Sequence, residues 1–163
     1  MKVRSKSAIW WGLLTIALLA VTNTVTALIV SSANSADHSS VDHVAVQTGD
    51  DPARTLCVQD AKLIADTVVE KKLHLEILYS VRCESGWGRI TRLDDAGYGN
   101  RVKVTIYRRS DPTGPSRQEA VEPDVKSAYT TLIVRQDPTD RLCVVGSTFT
   151  GNDVTEAPEP ICT

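Results

Sequence analysis

The chain has 163 residues, of which 18 are basic and 20 acidic, and this length allows one ordinary domain. The first 36 residues contain three basic residues and no acidic one, so the rest has 15 basic and 20 acidic residues, a formal charge of −5. Domains that bind nucleic acid are usually strongly basic. We therefore expect no nucleic-acid partner for this acidic domain.

Residues 1–36 are predicted to be a signal peptide or a membrane anchor. The segment Ala8–Val30 has no charged side chain, and it is long enough to cross a bilayer. Its strongly apolar part ends near Val21, as in a signal peptide, and small residues at Ala27 and Ala33 offer cleavage sites. Because the basic residues precede the apolar segment, both alternatives place the domain outside the cytoplasm, either secreted or membrane-anchored.

The segment Ser31–Asp51 is rich in Ser, Ala and Asp, and residues 37–51 within it are predicted to be a flexible linker. Four side chains of types that bind metal ions lie close together here: Asp37, His38, Asp42 and His43. Ordering a mobile segment around an ion carries a large entropic cost, so we predict no metal site. The folded domain is predicted to span residues 52–163.

All the cysteines of the chain follow the apolar segment, and they are Cys57, Cys83, Cys143 and Cys162. An even number of cysteines in an exported domain predicts two disulfides, with three connectivities open. We favour Cys57–Cys83 and Cys143–Cys162, because sequential pairing matches the two halves of the domain. No two cysteines have the C-x₂₋₄-C spacing of a zinc site.

The hydrophobic pattern predicts a mainly β domain, a small antiparallel sheet or barrel of five to six strands. Clean alternation marks Leu75–Ser80 and Arg101–Arg109 as strands. Two more are predicted at Ala128–Arg135 and Leu142–Phe149, joined as a hairpin at Asp137–Asp140. The predicted core consists of Ile64, Val68, Leu75, Ile77, Tyr79, Val102, Val104, Ile106, Leu132, Val134 and Val144.

Three other segments are less regular. The segment Cys57–Val69 fits both a short helix and a strand, and Asp60 within it is expected to cap a turn. Three prolines make Ser110–Val125 a long predicted loop. Glycines flank Trp87, which we expect to pack over the Cys57–Cys83 bridge; the alternative is an exposed ring that stacks on a ligand.

The outward face of the strand Arg101–Arg109 is the predicted binding surface. It presents basic side chains and one aromatic ring on an acidic background, so it could contact an anionic envelope polymer. The alternative is a solvated strand face, or a sheet edge protected by charge. The candidate ligand-binding residues are Arg101, Lys103, Tyr107 and Arg109, with Arg89 adjoining.

Sequence motifs of common enzymes are missing, including G-x-S-x-G, H-E-x-x-H, the P-loop and the Rossmann fingerprint. The only histidine of the predicted domain is His74. We therefore predict no catalytic residue and no cofactor. One alternative is a small hydrolase that uses carboxylates, with Glu76, Asp94 or Asp95 as candidates. Another is a secreted inhibitor or toxin-like protein that presents the Ser110–Val125 loop.

The strings CVQDA, beginning at Cys57, and LEILYSVRCESGWGRI, Leu75–Ile90, resemble the domain of unknown function 2690 family, found mainly in actinobacteria. The matching residues are Cys57, Asp60, Ala61, Leu75, Glu76, Tyr79, Ser80, Cys83, Trp87 and Arg89. The chain departs from the family's pattern at Leu78, where members usually have arginine, and at Gly88, where alanine is common.

The resemblance implies an exported or membrane-tethered module, and it implies an extended Lys62–Val69. The resemblance does not indicate any enzymatic reaction. The leading prediction is therefore a non-enzymatic exported module that binds an unknown extracellular protein or an envelope component. The membrane would be a partner only through an uncleaved N-terminal segment.

Overall fold

The structure is a computed structural model, and it describes residues 42–95 and 100–163. These residues form two five-stranded antiparallel sheets. Two short 3₁₀ turns, Pro52–Arg54 and Leu56–Gln59, precede the first strand. The strands are β1 Lys62–Val69, β2 Leu73–Ser80, β3 Ser85–Arg92, β4 Asn100–Arg108, β5 Gln118–Pro123, β6 Ser127–Tyr129, β7 Ile133–Val134, β8 Leu142–Thr150, β9 Asp153–Glu156 and β10 Ile161–Cys162.

The first sheet has the order β1-β2-β3-β6, and β7 also pairs with β3. The second sheet has the order β10-β8-β4-β5, and β9 also pairs with β8. The β1–β2 connection is tight because Glu70 and Lys71 both have positive φ angles, of 49° and 57°. Two such residues in a row are typical of a type I′ turn, whose twist matches that of the strands it joins.

The main core lies between the two sheets, and strand alternation explains its composition. Leu75 and Ile90 of the first sheet and Val104 and Val144 of the second are fully buried in one cluster. At Gly146 the sheets approach closely, since a Cβ atom there would lie 2.8 Å from Leu75 Cδ1 and 3.0 Å from Ile90 Cδ1. Glycine is therefore required at this contact by the packing of the sheets.

A second, smaller core lies on part of the outer face of the first sheet. It consists of Cys57, Cys83, Trp87 and Leu132, with partly buried neighbours that include Val44 and Val46. Trp87 is only 5% exposed, so the prediction that it packs with the Cys57–Cys83 bridge is confirmed.

The N-terminal segment, residues 42–51, has no regular secondary structure and contacts the domain through its backbone. The N–H of Val44 donates to the carbonyl of Arg82, and the N–H of Gly49 donates to the carbonyl of Leu132, each at 2.9 Å. The part of the predicted linker that the structure describes is therefore held on the domain. The predicted signal peptide or anchor, residues 1–36, lies outside the described residues. No helix within 42–95 and 100–163 is long and apolar enough to span a membrane.

The fold class is confirmed: the domain is mainly β and antiparallel, with disulfides Cys57–Cys83 and Cys143–Cys162. The strands in the described residues are more numerous than predicted, and the predicted strand Ala128–Arg135 is divided into the short strands β6 and β7. Residues Lys62–Val69 form a strand, as the family resemblance implied. Part of the predicted loop Ser110–Val125 is strand β5, which pairs with β4.

The predicted hairpin at Asp137–Asp140 is wrong, because β7 pairs with β3 in the first sheet while β8 lies in the second. Alternation identifies strands, but it does not say which strand pairs with which. Two predicted core residues, Ile64 and Val68, are 41% and 52% exposed. They lie on β1, which is at the end of the order of the first sheet and has a β-bulge between Leu63 and Ala65.

Candidate functional site

The predicted basic strand face lies on the outer surface of the second sheet. Val102, Val104 and Ile106 of β4 enter the core, so the alternate residues face outward. Lys103 Nζ lies 3.1 Å from a carboxylate oxygen of Glu119 on the neighbouring strand. This contact is the main reason that the pKa of Glu119 lies below its ordinary value. The charge of Lys103 is thus already balanced.

The other outward residues of β4 also have partners. The Arg101 guanidinium lies 4.2 Å from the centre of the Phe149 ring, in a cation–π contact. Tyr107 is only 9% exposed, and the guanidinium of Arg117 lies 5.9 Å from its ring centre. The strand face is therefore a mixed surface of paired groups.

Arg89 does not adjoin this surface. It lies on β3, on the outer face of the first sheet, and its Nε and a terminal nitrogen donate to the two carboxylate oxygens of Glu76 at 2.7 and 2.6 Å. The hydrogen bond with Glu76 raises the pKa of the Arg89 guanidinium. Because the two sheets pack through their inner faces, Arg89 and the β4 residues lie on opposite sides of the domain.

Arg109, the last predicted site residue, lies in a groove instead. It follows the end of β4, and its backbone N–H donates to the carbonyl of Arg141 at 2.8 Å. This places the two arginines side by side where β4 ends and β8 begins. The groove has a volume of about 590 Å³. We call it the arginine groove; its lining includes Arg108, Arg109, Ser110, Thr139, Asp140 and Arg141.

The three arginines of the arginine groove differ in whether their guanidinium groups already have partners. Arg108 is buried, and its guanidinium donates to the Asp140 carboxylate and to the Val134 carbonyl. Arg109 and Arg141 are exposed, and neither side chain has a hydrogen bond or an ion pair with any residue that the structure describes. The groove therefore holds two guanidinium groups with free donors beside a third that is fixed.

Asp137 also lines the arginine groove. Its carboxylate accepts hydrogen bonds from the hydroxyl and the backbone N–H of Thr139, at 2.6 and 2.7 Å. These two bonds hold the pKa of Asp137 below its ordinary value, so it remains ionised. The net charge of the lining is nevertheless positive, because three arginines face two aspartates.

Sequence reasoning found Arg109 but missed Arg141, Ser110 and Thr139. These residues come from two connections that are more than twenty positions apart in the chain, at the ends of β4 and before β8. Only the pairing of β4 with β8 brings them together. Knowledge of that pairing would have pointed to Arg141, since it lies next to the first residue of β8.

The carboxylates proposed for a hydrolase are separately engaged. Glu76 is held by Arg89, and Asp94 receives two hydrogen bonds from Arg92, each 2.8 Å. Asp95 is exposed. Across 42–95 and 100–163, no group of three or more His, Cys, Asp or Glu residues could hold a metal ion.

Other residues of the sequence motif form a connected structural unit. The Asp60 carboxylate accepts hydrogen bonds from the Ser80 hydroxyl at 2.6 Å and from the backbone N–H of Arg82 at 3.0 Å. The Ser80 hydroxyl oxygen in turn accepts from the backbone N–H of Cys83 at 3.1 Å. Asp60 therefore fixes the β2–β3 turn beside the Cys57–Cys83 disulfide, which agrees with its predicted role at a turn.

The fold and these bonds define a small β domain stapled by two disulfides, a class that is typical of oxidising compartments outside the cytoplasm. A family model described as Protein of unknown function (DUF2690) matches residues 45–143. Because this match covers more than half of the chain, the protein belongs to that family. Comparison with curated proteins and with solved structures finds no match.

Proposed function

We propose that this protein is a non-enzymatic binding module that works outside the cytoplasm. Its ligand is an acidic group of an extracellular protein or an anionic envelope polymer, and the arginine groove holds that group. Arg109 and Arg141 bind the anion, and the hydroxyl of Ser110 adds a hydrogen bond.

The observation that carries this proposal is the pair of free guanidinium groups in a concave site. Arginine presents a planar fork of donors that matches the oxygens of carboxylates and phosphates. The neighbouring Arg108 is already bound to Asp140, so its position is set before any ligand arrives. Lys103 and Arg89, by contrast, are already paired with carboxylates.

The test is binding of the oxidised full-length chain, kept in detergent, to linear polyphosphate as a model anionic polymer. We expect the double variant Arg109→Glu/Arg141→Glu to bind at least about tenfold more weakly, because two charge-assisted hydrogen-bonding groups are lost and two repulsive charges are added. Binding should weaken as salt rises, since these two arginines are exposed to solvent. Isothermal titration calorimetry measures both effects.

The matched control is Arg101→Glu/Lys103→Glu, which makes the same change of charge on the outer face of the second sheet. The control should bind within about twofold of the unchanged protein, well under the 1.4 kcal/mol that a tenfold change represents. If the control loses binding as much as the groove variant, the attraction is due to net charge and the groove has no special role. If only the control loses binding, the strand face predicted from the sequence is the site.

We further propose that residues 1–36 direct export, with the domain either released or kept on the membrane by this segment. The two disulfides support a location outside the cytoplasm. Intact mass spectrometry of protein from the medium and from membranes separates the alternatives. The mass of a chain that starts after Ala27, Ala33 or Ala36 indicates release, and the full-length mass in membranes indicates an anchor. Full-length, reduced protein in the cytoplasm would contradict export.

A further inference from the structure

Part of the outer face of the first sheet lies beyond the small core. There, four residues lie directly opposite one another on four adjacent strands: Asp66 on β1, Glu76 on β2, Arg89 on β3 and Tyr129 on β6. We call these four residues the polar row. Their neighbours in sequence, such as Leu75, Ile90 and Ala128, enter the main core, so the row faces outward.

The polar row is long and fixed in place. Adjacent strands lie about 4.8 Å apart, so four strands extend the row over roughly 14 Å. The Arg89 guanidinium is held by two hydrogen bonds to Glu76, and Asp66 Oδ2 lies 2.9 Å from His74 Nε2. These bonds set the side-chain positions before a ligand binds, which lowers the entropic cost of binding.

The row offers both donors and acceptors to a ligand. A guanidinium group has five N–H donors, and Arg89 uses two of them on Glu76, so three remain available. Asp66 contacts His74 through one carboxylate oxygen, and its other oxygen can still accept. Such a mixture suits hydroxyl groups, which donate and accept at the same time.

Tyr129 adds an aromatic surface at one end of the row. It is 44% exposed, although it lies next to the fixed Arg89 side chain. A tyrosine ring exposed beside polar groups presents an apolar face together with a hydroxyl, and this combination favours ligands that are apolar on one side and polar at the edge. A sugar ring has this character, with C–H groups on its face and hydroxyls around it.

The charge of the polar row differs from that of the arginine groove. The Arg89 and Glu76 charges cancel, and the remaining carboxylate of Asp66 contacts His74. The row thus carries no excess positive charge that would attract an anion. From this charge, the row's length and its mixed donors and acceptors, we propose that the polar row binds a neutral oligosaccharide, whose hydroxyls meet Arg89 and Asp66 and one of whose rings stacks on Tyr129.

The test uses the oxidised full-length chain in detergent and three neutral probes, chitotetraose, cellotetraose and maltotetraose. Binding is followed by isothermal titration calorimetry and by shifts of backbone amide signals in NMR spectra. We expect at least one probe to bind and to shift the signals of β3 and β6. Tyr129→Ala should weaken that binding by about tenfold or more, because a stacking ring is lost.

Phe149→Ala is the matched control, since Phe149 also lies beside an arginine but on the outer face of the second sheet. It should change oligosaccharide binding by less than about twofold. Arg89→Lys keeps a positive charge next to Glu76 but removes the planar fork, so it should weaken binding while the fold is retained. Unchanged amide spectra away from the row would verify the fold of each variant.

The proposal is wrong if none of the three probes binds, or if Phe149→Ala and Tyr129→Ala weaken binding equally. The proposal is also wrong if Tyr129→Ala and Arg89→Lys reduce the binding of polyphosphate but not that of the oligosaccharides. The test is separate from that of the arginine groove, because Arg109→Glu/Arg141→Glu should leave oligosaccharide binding unchanged. In the unchanged protein, binding of polyphosphate without any oligosaccharide would support the arginine groove and reject the polar row, and binding of an oligosaccharide without polyphosphate would do the reverse.

Discussion

The two outer faces of this domain look alike in sequence and differ in structure. On the first sheet, the N-terminal segment and the Cys57–Cys83 disulfide form a small core on part of the outer face, and the polar row occupies another part. On the second sheet, the Cys143–Cys162 disulfide joins directly paired residues of β8 and β10. The comparison shows that charged residues alternating along a strand can be paired with carboxylates of neighbouring strands.

Lys103 and Arg109 make this point within one stretch of chain. Both are basic residues on the same predicted strand face, but Lys103 lies beside Glu119, whereas Arg109 lies beyond the end of β4 and next to Arg141. The partner contributed by a distant segment decides whether a basic side chain is balanced or available. That partner is set by strand pairing, which local patterns do not reveal.

The largest expected difference between the two sides concerns the disulfides. Their sequence separations are 26 and 19 residues, so the chain-entropy model gives a similar loss for each, about 3 kcal/mol. Cys57 and Cys83 are also part of the small core, and their removal would loosen its packing. We therefore expect Cys57→Ala/Cys83→Ala to lower the free energy of unfolding by more than Cys143→Ala/Cys162→Ala, with urea unfolding as the measurement.

An equal loss in both double variants would mean that the small core adds nothing to the effect of the bridge. A larger loss for Cys143→Ala/Cys162→Ala would contradict the comparison, since it would place the greater stabilisation on the second sheet. Single-cysteine variants are unsuitable controls because they leave a free thiol that can form wrong disulfides.

A smaller difference is expected in the response to acid. Burial by itself would raise the pKa of Asp60, but hydrogen bonds from the Ser80 hydroxyl and from backbone N–H groups, including that of Arg82, hold it below the ordinary value of 3.8. The folded state therefore binds protons less readily than the unfolded state at this carboxyl group. Its stabilising effect is present above pH 3.8 and is lost as the pH falls through the lowered pKa.

We expect Asp60→Asn to be less stable than the unchanged protein at pH 7, by about 1 kcal/mol, and to lose less further stability between pH 5 and pH 2. Glu119→Gln is the comparison on the second sheet, where Lys103 lowers the pKa of Glu119 in the same direction. Its side chain is 39% exposed, so screening by solvent should make its effect smaller. Urea unfolding at several pH values measures the free energy of unfolding of both variants. A larger effect of Glu119→Gln than of Asp60→Asn would contradict the comparison.

Several features could be predicted without the tertiary structure. The alternation of Leu75–Ser80 identified β2, and the even number of cysteines on one side of an apolar segment predicted the disulfides that the structure contains. The glycines around Trp87 indicated a packed ring, and Trp87 is buried. These predictions succeed because they depend on neighbours in sequence or on a simple count.

Predictions that depended on distant partners were less successful. Ile64 and Val68 are apolar and were placed in the core, but they are exposed, whereas Ala65 and Val69 of the same strand pack against the core. A β-bulge between Leu63 and Ala65 shifts the alternation of β1 at this point. The turn at Asp137–Asp140 joins strands of different sheets instead of a hairpin. Only the tertiary structure shows which face of a strand packs against the core and which strand pairs with it.

The sequence by itself determined the β class, the disulfide staples and the burial of Trp87, since period-two hydrophobicity and cysteine count are local properties. Only the tertiary structure separated Arg89 from the β4 residues and placed Arg109 next to Arg141. It also aligned Asp66, Glu76, Arg89 and Tyr129 across four strands. The physical reason is that both candidate sites consist of residues from separate strands and loops, and strand register alone brings such residues within reach of one ligand.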